Sequence, residues 1–220
     1  MELLELHSVS KSYPSADRPS LTNVDLVLKQ GSFAAVTGPS GSGKTTLLNI
    51  AAGLDDPSSG EAHIMGHKSS AMSGPERSKF RLNNLGFVFQ AYNLLPVLTA
   101  RENVELSSLL KKIAPAQAKQ IALEALSKVG LAGLEDRRPA LLSGGQQQRV
   151  AVARALANAP KIIFADEPTA NLDSVNALQL IDLFKQLNRK HGISFLFSTH
   201  DQRLIEQVDI CIKMRDGIIC

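Results

Sequence analysis

Short apolar runs recur along the chain, each closed by turn residues and most followed by a helical pattern. "FAAVTG" precedes "KTTLLNIAAGL", "KIIFAD" precedes "SVNALQLIDLFKQLNRKHG", "ISFLFSTH" precedes "DQRLIEQV", and "LGFVFQ" is a further run of the same kind. A strand-length apolar run without polar alternation belongs to a strand buried on both faces, and such strands alternating with helices predict a parallel sheet with crossover helices. In the helix between the last two strands, Val175, Leu178, Ile181 and Leu183 or Phe184 recur at three- and four-residue steps, with Asp182 on the flank, and predict its apolar face. Ser174 is the expected N-cap and Gly192 the expected stop.

Between Gln90 and Ala159 the pattern becomes helical almost throughout, as in "TARENVELSSLLKKI" and "PAQAKQIALEALSKVGL", with Pro96, Pro115 and Pro139 as punctuation. The expectation is one domain over 1–220, in which a helical subdomain (91–159) is inserted into a core made of 1–90 and 160–220. No internal repeat or low-complexity segment breaks this picture. The length of 220 residues, with 44% hydrophobic and 20% charged positions, suits one good-sized core.

The turns after these runs carry the chemistry. "GPSGSGKT", Gly38 to Thr45, follows a strand pattern and opens a helix, the context in which a glycine-rich loop cradles phosphates. Backbone N–H groups from Gly38, Ser40, Gly41, Ser42 and Gly43 would curl around a β-phosphate, Lys44 would reach the β- and γ-phosphates, and Thr45, followed by Thr46, would place a hydroxyl on Mg²⁺. "KIIFADEP" sets Asp166 and Glu167 at a strand end, expected beside the strand that delivers the phosphate loop. Asp166 would orient Mg²⁺ and Glu167 would polarise a water, although an acidic pair after an apolar strand is by itself more often a solvated strand end. Gln90 and His200 end two further strand patterns, and each has an ordinary structural reading when taken alone. The Gln90 amide could reach the metal or the water, and the crossover placement of the His200 strand makes a γ-phosphate contact the expectation for His200.

Charge and cysteines narrow the classes. Lys and Arg number 24 against 21 Asp and Glu, a net +3 without a basic run, so nucleic acid is not an expected partner. Cys211 and Cys220 have no metal-ligand spacing and make no disulfide framework, which suits a reducing compartment. "MELLELHSVSKSYP" does not read as a signal peptide, and no apolar run approaches the ~18 residues of a membrane span. Work at a membrane is therefore expected to pass through a partner.

One stretch, "LLSGGQQQRVAVARAL", holds no acid, histidine or cysteine that could carry a reaction. Its Ala151, Ala153, Ala155 and Ala157 favour a helix, with Val150, Ala153 and Ala157 on one face and Asn158 and Pro160 ending it. With the phosphate loop, Gln90, the Asp166–Glu167 strand and His200 in order, this "LSGGQ" makes essentially the whole chain resemble the ATP-binding-cassette (ABC) ATPases. The resemblance implies an α/β P-loop NTPase fold: an ABC-type nucleotide-binding domain with a RecA-like core, an antiparallel β subdomain and a helical subdomain. It also implies ATP and Mg²⁺ as cofactors, hydrolysis promoted by Glu167, His200 and Gln90, and metal held by Thr45, Gln90 and Asp166.

Further roles follow from the resemblance alone. Tyr13 looks like the aromatic residue that stacks on adenine, with a surface-turn tyrosine as the competing reading. Ser143, Gly144, Gly145 and Gln146 look like the signature that faces the nucleotide of a second copy in a head-to-tail dimer, where a Cβ at Gly145 would obstruct the phosphate. Asp173, in "NLD", looks like part of the loop joining the two sites, and a plain N-cap is its competitor. "GFVFQAYNLLPVLTARENV" and "DEPTANLDS" are similar to the group that powers lipoprotein release, MacB-type efflux and FtsE-type cell-division machinery. That likeness implies an ATPase subunit at the cytoplasmic face of the inner membrane, driving a permease subunit contacted near Gln90–Thr99 for export or extrusion. An FtsE-like signalling role without cargo is the alternative. Tyr92, Leu94, Leu95 and Val97 are the apolar contact candidates, against a competing reading in which they pack inside the helical subdomain. DNA-repair relatives split the cassette with a long coiled coil, and no sustained heptads occur here.

Overall fold

The computed structural model describes residues 2–14 and 18–220. In chain order its elements begin β1 (Glu2–Lys11), β2 (Leu21–Lys29), β3 (Phe33–Thr37), α1 (Lys44–Ala51), β4 (Ser59–Ile64), β5 (His67–Lys68), α2 (Gly74–Asn84) and β6 (Leu85–Phe89). They continue α3 (Ala100–Leu110), α4 (Pro115–Lys128), α5 (Gly144–Leu156), β7 (Ile162–Asp166), α6 (Ser174–His191), β8 (Ser194–Ser198), α7 (Gln202–Ile205), β9 (Ile210–Arg215) and β10 (Ile218–Ile219).

The apolar runs are four neighbouring strands, β3, β8, β7 and the edge strand β6, of a six-stranded sheet in the order β10-β9-β3-β8-β7-β6. Every pairing from β9 to β6 is parallel, and only β10 on β9 is antiparallel. All residues of β3 and β8 are buried, as strands covered on both faces require. Alternate residues serve two cores: Phe33 and Ala35 join the α5–α6 side, and Ala34 and Val36 join the side closed by α1 and a second sheet. One expectation fails here. β8 lies between β3 and β7, so the Asp166–Glu167 strand is not adjacent to the strand that delivers the phosphate loop. Patterning gives the faces of a strand and carries no information about its neighbours.

The second sheet is antiparallel, in the order β2-β1-β4-β5. Its apolar alternation is hard to read because the β1–β2 register shifts at Glu2/Leu4, Leu6/Val9 and Val9/Lys11, each shift exchanging the inward and outward positions. Helices α3, α4 and α5 lie between β6 and β7 in sequence and pack on one another. Thr99 with Glu102 caps α3 and Ser143 with Gln146 caps α5, each in a reciprocal capping box. No helix among the described residues is long and apolar enough to cross a membrane.

Helix α6 corrects two readings. Asp173, not Ser174, is its N-cap, with the carboxylate accepting from the Asn176 N–H at 2.9 Å. Its buried face runs through Ala177, Leu180, Ile181, Leu183, Phe184 and Leu187, so the expected Ile181, Leu183 and Phe184 are on it, whereas Val175 is 65% and Leu178 50% exposed. Gly192 does stop the helix, in the left-handed conformation at φ 66°. Phe184 meets Phe195 and Phe197 at centroid distances of 5.3 Å, and Phe33 adds an edge-on contact to Phe197 at 5.0 Å. Phe184→Ala is expected to lower the urea-derived unfolding free energy by about 3–5 kcal/mol through cavity formation. Leu178→Ala is expected to change it by less than about 0.5 kcal/mol. A reversed ranking would restore the patterned face.

Candidate functional site

The parallel strands β3, β6, β7 and β8 end at one edge of the sheet, where polar turn residues line a cavity of about 700 Å³. The turn after β3 contributes Gly38, Ser40, Gly41, Gly43, Lys44, Thr45 and Thr46, β6 is followed by Gln90, β7 delivers Asp166 and Glu167, and β8 leads to His200. Ser20, just ahead of β2, also lines the cavity and carries no sequence signal that points to it.

Gly43 caps α1 in the left-handed conformation at φ 99°, and a Cβ there would lie 2.4 Å from the Ser20 carbonyl oxygen, so glycine is required on both counts. The Lys44 ammonium donates to the carbonyls of Gly38 and Pro39, each at 2.9 Å, and so folds over the loop. Ser42 departs from expectation. It is buried away from the cavity with its hydroxyl unpartnered, and its N–H donates to the Pro39 carbonyl.

The Thr45 hydroxyl faces both carboxylate oxygens of Asp166, at 3.4 and 3.3 Å. Glu167 holds a left-handed backbone at φ 47°, a strained state for a glutamate, fixed by its N–H donating to the Ser198 carbonyl at 2.8 Å. Its carboxylate meets His200 Nδ1 at 2.9 Å and the His200 N–H at 3.4 Å. Together these groups supply a fixed ammonium, a hydroxyl and carboxylate suited to a hard divalent cation, and a carboxylate able to take a proton from water. Among the described residues there is no cluster of three or more His, Cys, Asp or Glu that could hold a metal ion.

The remaining candidates lie outside this cavity. At the start of α5 the Ser143 hydroxyl accepts the Gln146 N–H at 3.3 Å, and the Gln146 side-chain oxygen accepts the Ser143 N–H at 3.0 Å. Gly145 is buried, and its Cβ would fall 2.6 Å from Asn176 Oδ1 on α6 of the same chain. An intramolecular collision therefore constrains this glycine, where the sequence reading invoked a phosphate. Asp173, by capping α6, also accepts from the Asn176 side-chain amide, and these bonds hold its carboxyl below the usual aspartate range. The Tyr13 hydroxyl donates to Asp55 at 2.8 Å while the Lys11 ammonium sits 4.9 Å above its ring, and burial pushes the phenol up.

Two positioning contacts have no motif to announce them. The Gln148 amide donates to the Pro168 carbonyl at 2.7 Å and the Phe89 carbonyl at 3.4 Å, joining α5 to the exits of β6 and β7. The buried Thr169 donates to Asp201 at 2.7 Å, joining the turn after Glu167 to the one after His200. Arg203 and, secondarily, Thr169 hold the Asp201 carboxyl below its ordinary range despite burial.

The family model for ABC transporters matches residues 21–170. An uncharacterized ABC transporter ATP-binding protein of Methanocaldococcus jannaschii, MJ1508, is 46% identical, covering 99% of this chain and 97% of its own. The macrolide export ATP-binding/permease protein MacB of Rhodopirellula baltica is 41% identical over 99% of this chain, which spans 32% of its length. The ATP-binding cassette MJ0796, solved as a dimer in a post-hydrolysis state bound to ADP and Pi, superposes with a TM-score of 0.91 at 41% identity, covering 99% of this chain and 96% of that one.

The Gly145 contact yields a double-mutant test. Gly145→Ala is expected to cost about 1–3 kcal/mol in urea unfolding through overpacking. Asn176→Gly should recover most of that loss in the double variant. Additive losses would mean that Asn176 is not what confines the glycine.

Proposed function

The chain belongs to the ABC transporter family of ATP-binding proteins, and from that premise we propose that it powers a separate membrane permease through an ATP-dependent head-to-tail dimer. It is an ATPase. The observation that carries the assignment of roles is the convergence of Lys44, the Thr45–Asp166 pair and the Glu167–His200 pair on one cavity, while Ser143–Gln146 stands outside it.

In this reading the amides of Gly38, Ser40, Gly41 and Gly43 cradle the phosphates, and Lys44 exchanges its loop carbonyls for phosphate oxygens. Thr45, Asp166 and Gln90 hold Mg²⁺, which supplies charge neutralisation of the phosphates when bound. Glu167 Oε accepts the proton of the attacking water, and His200, already at 2.9 Å from that carboxylate, keeps it aimed. Tyr13, held from the side by Asp55, stacks on adenine. The Ser143 hydroxyl and the amides of Gly144 and Gly145, with Gln146 closing the capping box behind them, face the nucleotide of the second copy, and the Asp173 loop approaches that same boundary.

The permease contact falls near Gln90–Thr99. Leu95 is 46% and Val97 71% exposed there, and Leu94 instead packs against the core. The permease anchors the chain at the cytoplasmic face of the inner membrane. Extrusion of lipoprotein, peptide or drug-like cargo is the direction favoured by the likeness to a macrolide exporter.

Glu167→Gln is expected to keep ATP binding, cut turnover about 10²–10⁴-fold, and accumulate a dimer with ATP on size-exclusion chromatography. Turnover near that of the parent removes Glu167 as the base. Leu95→Glu with Val97→Glu should abolish stimulation by the co-purified permease and spare the ATPase activity of the isolated chain. Equal loss of both activities would indicate misfolding.

A further inference from the structure

Arg154 lies on α5, partly buried, ten residues beyond Gly144, about 15 Å along the axis at ~1.5 Å per residue. Its guanidinium donates through Nη2 to the Tyr92 carbonyl at 2.9 Å and through Nη1 to the Asn93 carbonyl. Among the described residues no carboxylate pairs with it. Tyr92 and Asn93 both hold left-handed backbones, φ 59° and 53°, an unfavourable succession for residues with side chains that persists only where surrounding contacts enforce it. A planar fork is suited to two acceptors at once, which an ammonium serves less well.

The same turn touches α5 a second time. The Tyr92 hydroxyl stands 3.1 Å from where a Cβ on Gly144 would sit, so the ring tip rests on the first turn of the helix while the backbone is held further along it. The flanks of the loop have other anchors: Gln148 at the Phe89 carbonyl, Asn171 at the Gln90 carbonyl, and Asn103 at both the N–H and carbonyl of Leu95. Arg154 alone among these contacts engages the middle, between Gln90 and the exposed Leu95–Val97.

We infer that Arg154 is a positioning residue that makes the Tyr92–Asn93 turn a rigid extension of α5, so that a load on Leu95–Val97 reaches the Ser143–Gly145 terminus. The inference rests on the reading above, in which that loop meets the permease and that terminus meets the second copy's nucleotide. Arg154 need not touch ATP in either copy.

The test compares the full chain with Arg154→Met and Arg154→Lys by hydrogen–deuterium exchange, first without nucleotide. Arg154→Met is expected to speed exchange about tenfold over 91–98 and measurably over 143–148, with 33–37 in the buried β3 unchanged. Arg154→Lys, retaining the stem and a charge, should recover part of the protection, and it carries the test if Arg154→Met does not fold. Unchanged exchange over 91–98, or an equal rise over 33–37, overturns the proposal. With ATP in the Glu167→Gln background, protection should appear at 143–148 and extend to 91–98. Adding Arg154→Met should confine it to 143–148, and an undiminished spread would overturn the clamp. If Glu167→Gln alone shows no ATP-dependent protection at 143–148, the dimer reading fails, and the nucleotide-free comparison still decides the clamp.

Discussion

The buried amide of Gln148 joins three parts of the site that sequence keeps far apart. Its Nε2 donates across to Pro168 beyond β7 and to Phe89 at the end of β6, so α5 is fixed to the strand ends that carry Glu167 and Gln90. A buried carbonyl left without a donor costs about 1–3 kcal/mol, and Gln148 supplies the short bond to the Pro168 carbonyl, while the Phe89 carbonyl also accepts the Tyr92 N–H at 3.2 Å. Apolar burial is non-directional, and the two N–H groups of this one amide, each aimed at a different carbonyl, add direction that holds the helix in register and rotation. Gln148 Oε1 remains unpartnered, so the helix accepts a polar cost there to hold the register.

That fixation explains why strain can persist around it. Glu167 stands in the left-handed region between two restraints, its N–H on Ser198 and its carboxylate on His200. Tyr92 and Asn93 share the same kind of backbone under the hold of Arg154. These three positions all lie in turns leaving the parallel sheet, where the chain must leave an extended strand while aiming a side chain or carbonyl at a neighbour. Each would relax if its partner moved, so each is a point at which a contact made elsewhere can alter geometry.

How much of this was legible depends on what a pattern can encode. Burial on both faces wrote itself into "FAAVT" and "SFLFS", and the glycines, lysine and threonine of the phosphate loop signal their chemistry by type and spacing. Strand order did not: nothing in the run ending at Asp166 tells it that the His200 strand intervenes. The α6 face was misplaced by counting from Val175 and Leu178, because the small Ala177 carries the true phase and bulky exposed residues outweigh it in any hydrophobicity count. The three glutamines after Gly145 are identical in type. Only helical phase separates them: Gln148 follows Gly145 by three positions, precedes Val152 by four, and shares their burial. Arg154 was hidden for another reason, since its acceptors are backbone carbonyls whose direction comes from left-handed turns that "YN" does not announce.

Asp173 is the cap of α6, and its bonds reach further than the cap itself. By accepting from the backbone and side chain of Asn176, its carboxylate turns that asparagine against Gly145, while Asn171 upstream donates to the Gln90 carbonyl. The segment from Asn171 to Asn176 thus touches the strand end inside the cavity and the helix start outside it. Three hydrogen bonds and one close side-chain contact make up that connection. The first turn of α5 meanwhile keeps an exposed Ser143 hydroxyl and the positive end of a thirteen-residue helix, with no acid in that turn to answer it. An anion that meets this terminus in a head-to-tail dimer would be the phosphate of the second copy. Asn176 thus ties this terminus to the Asp173 cap and, through Asn171, to the turn after β6.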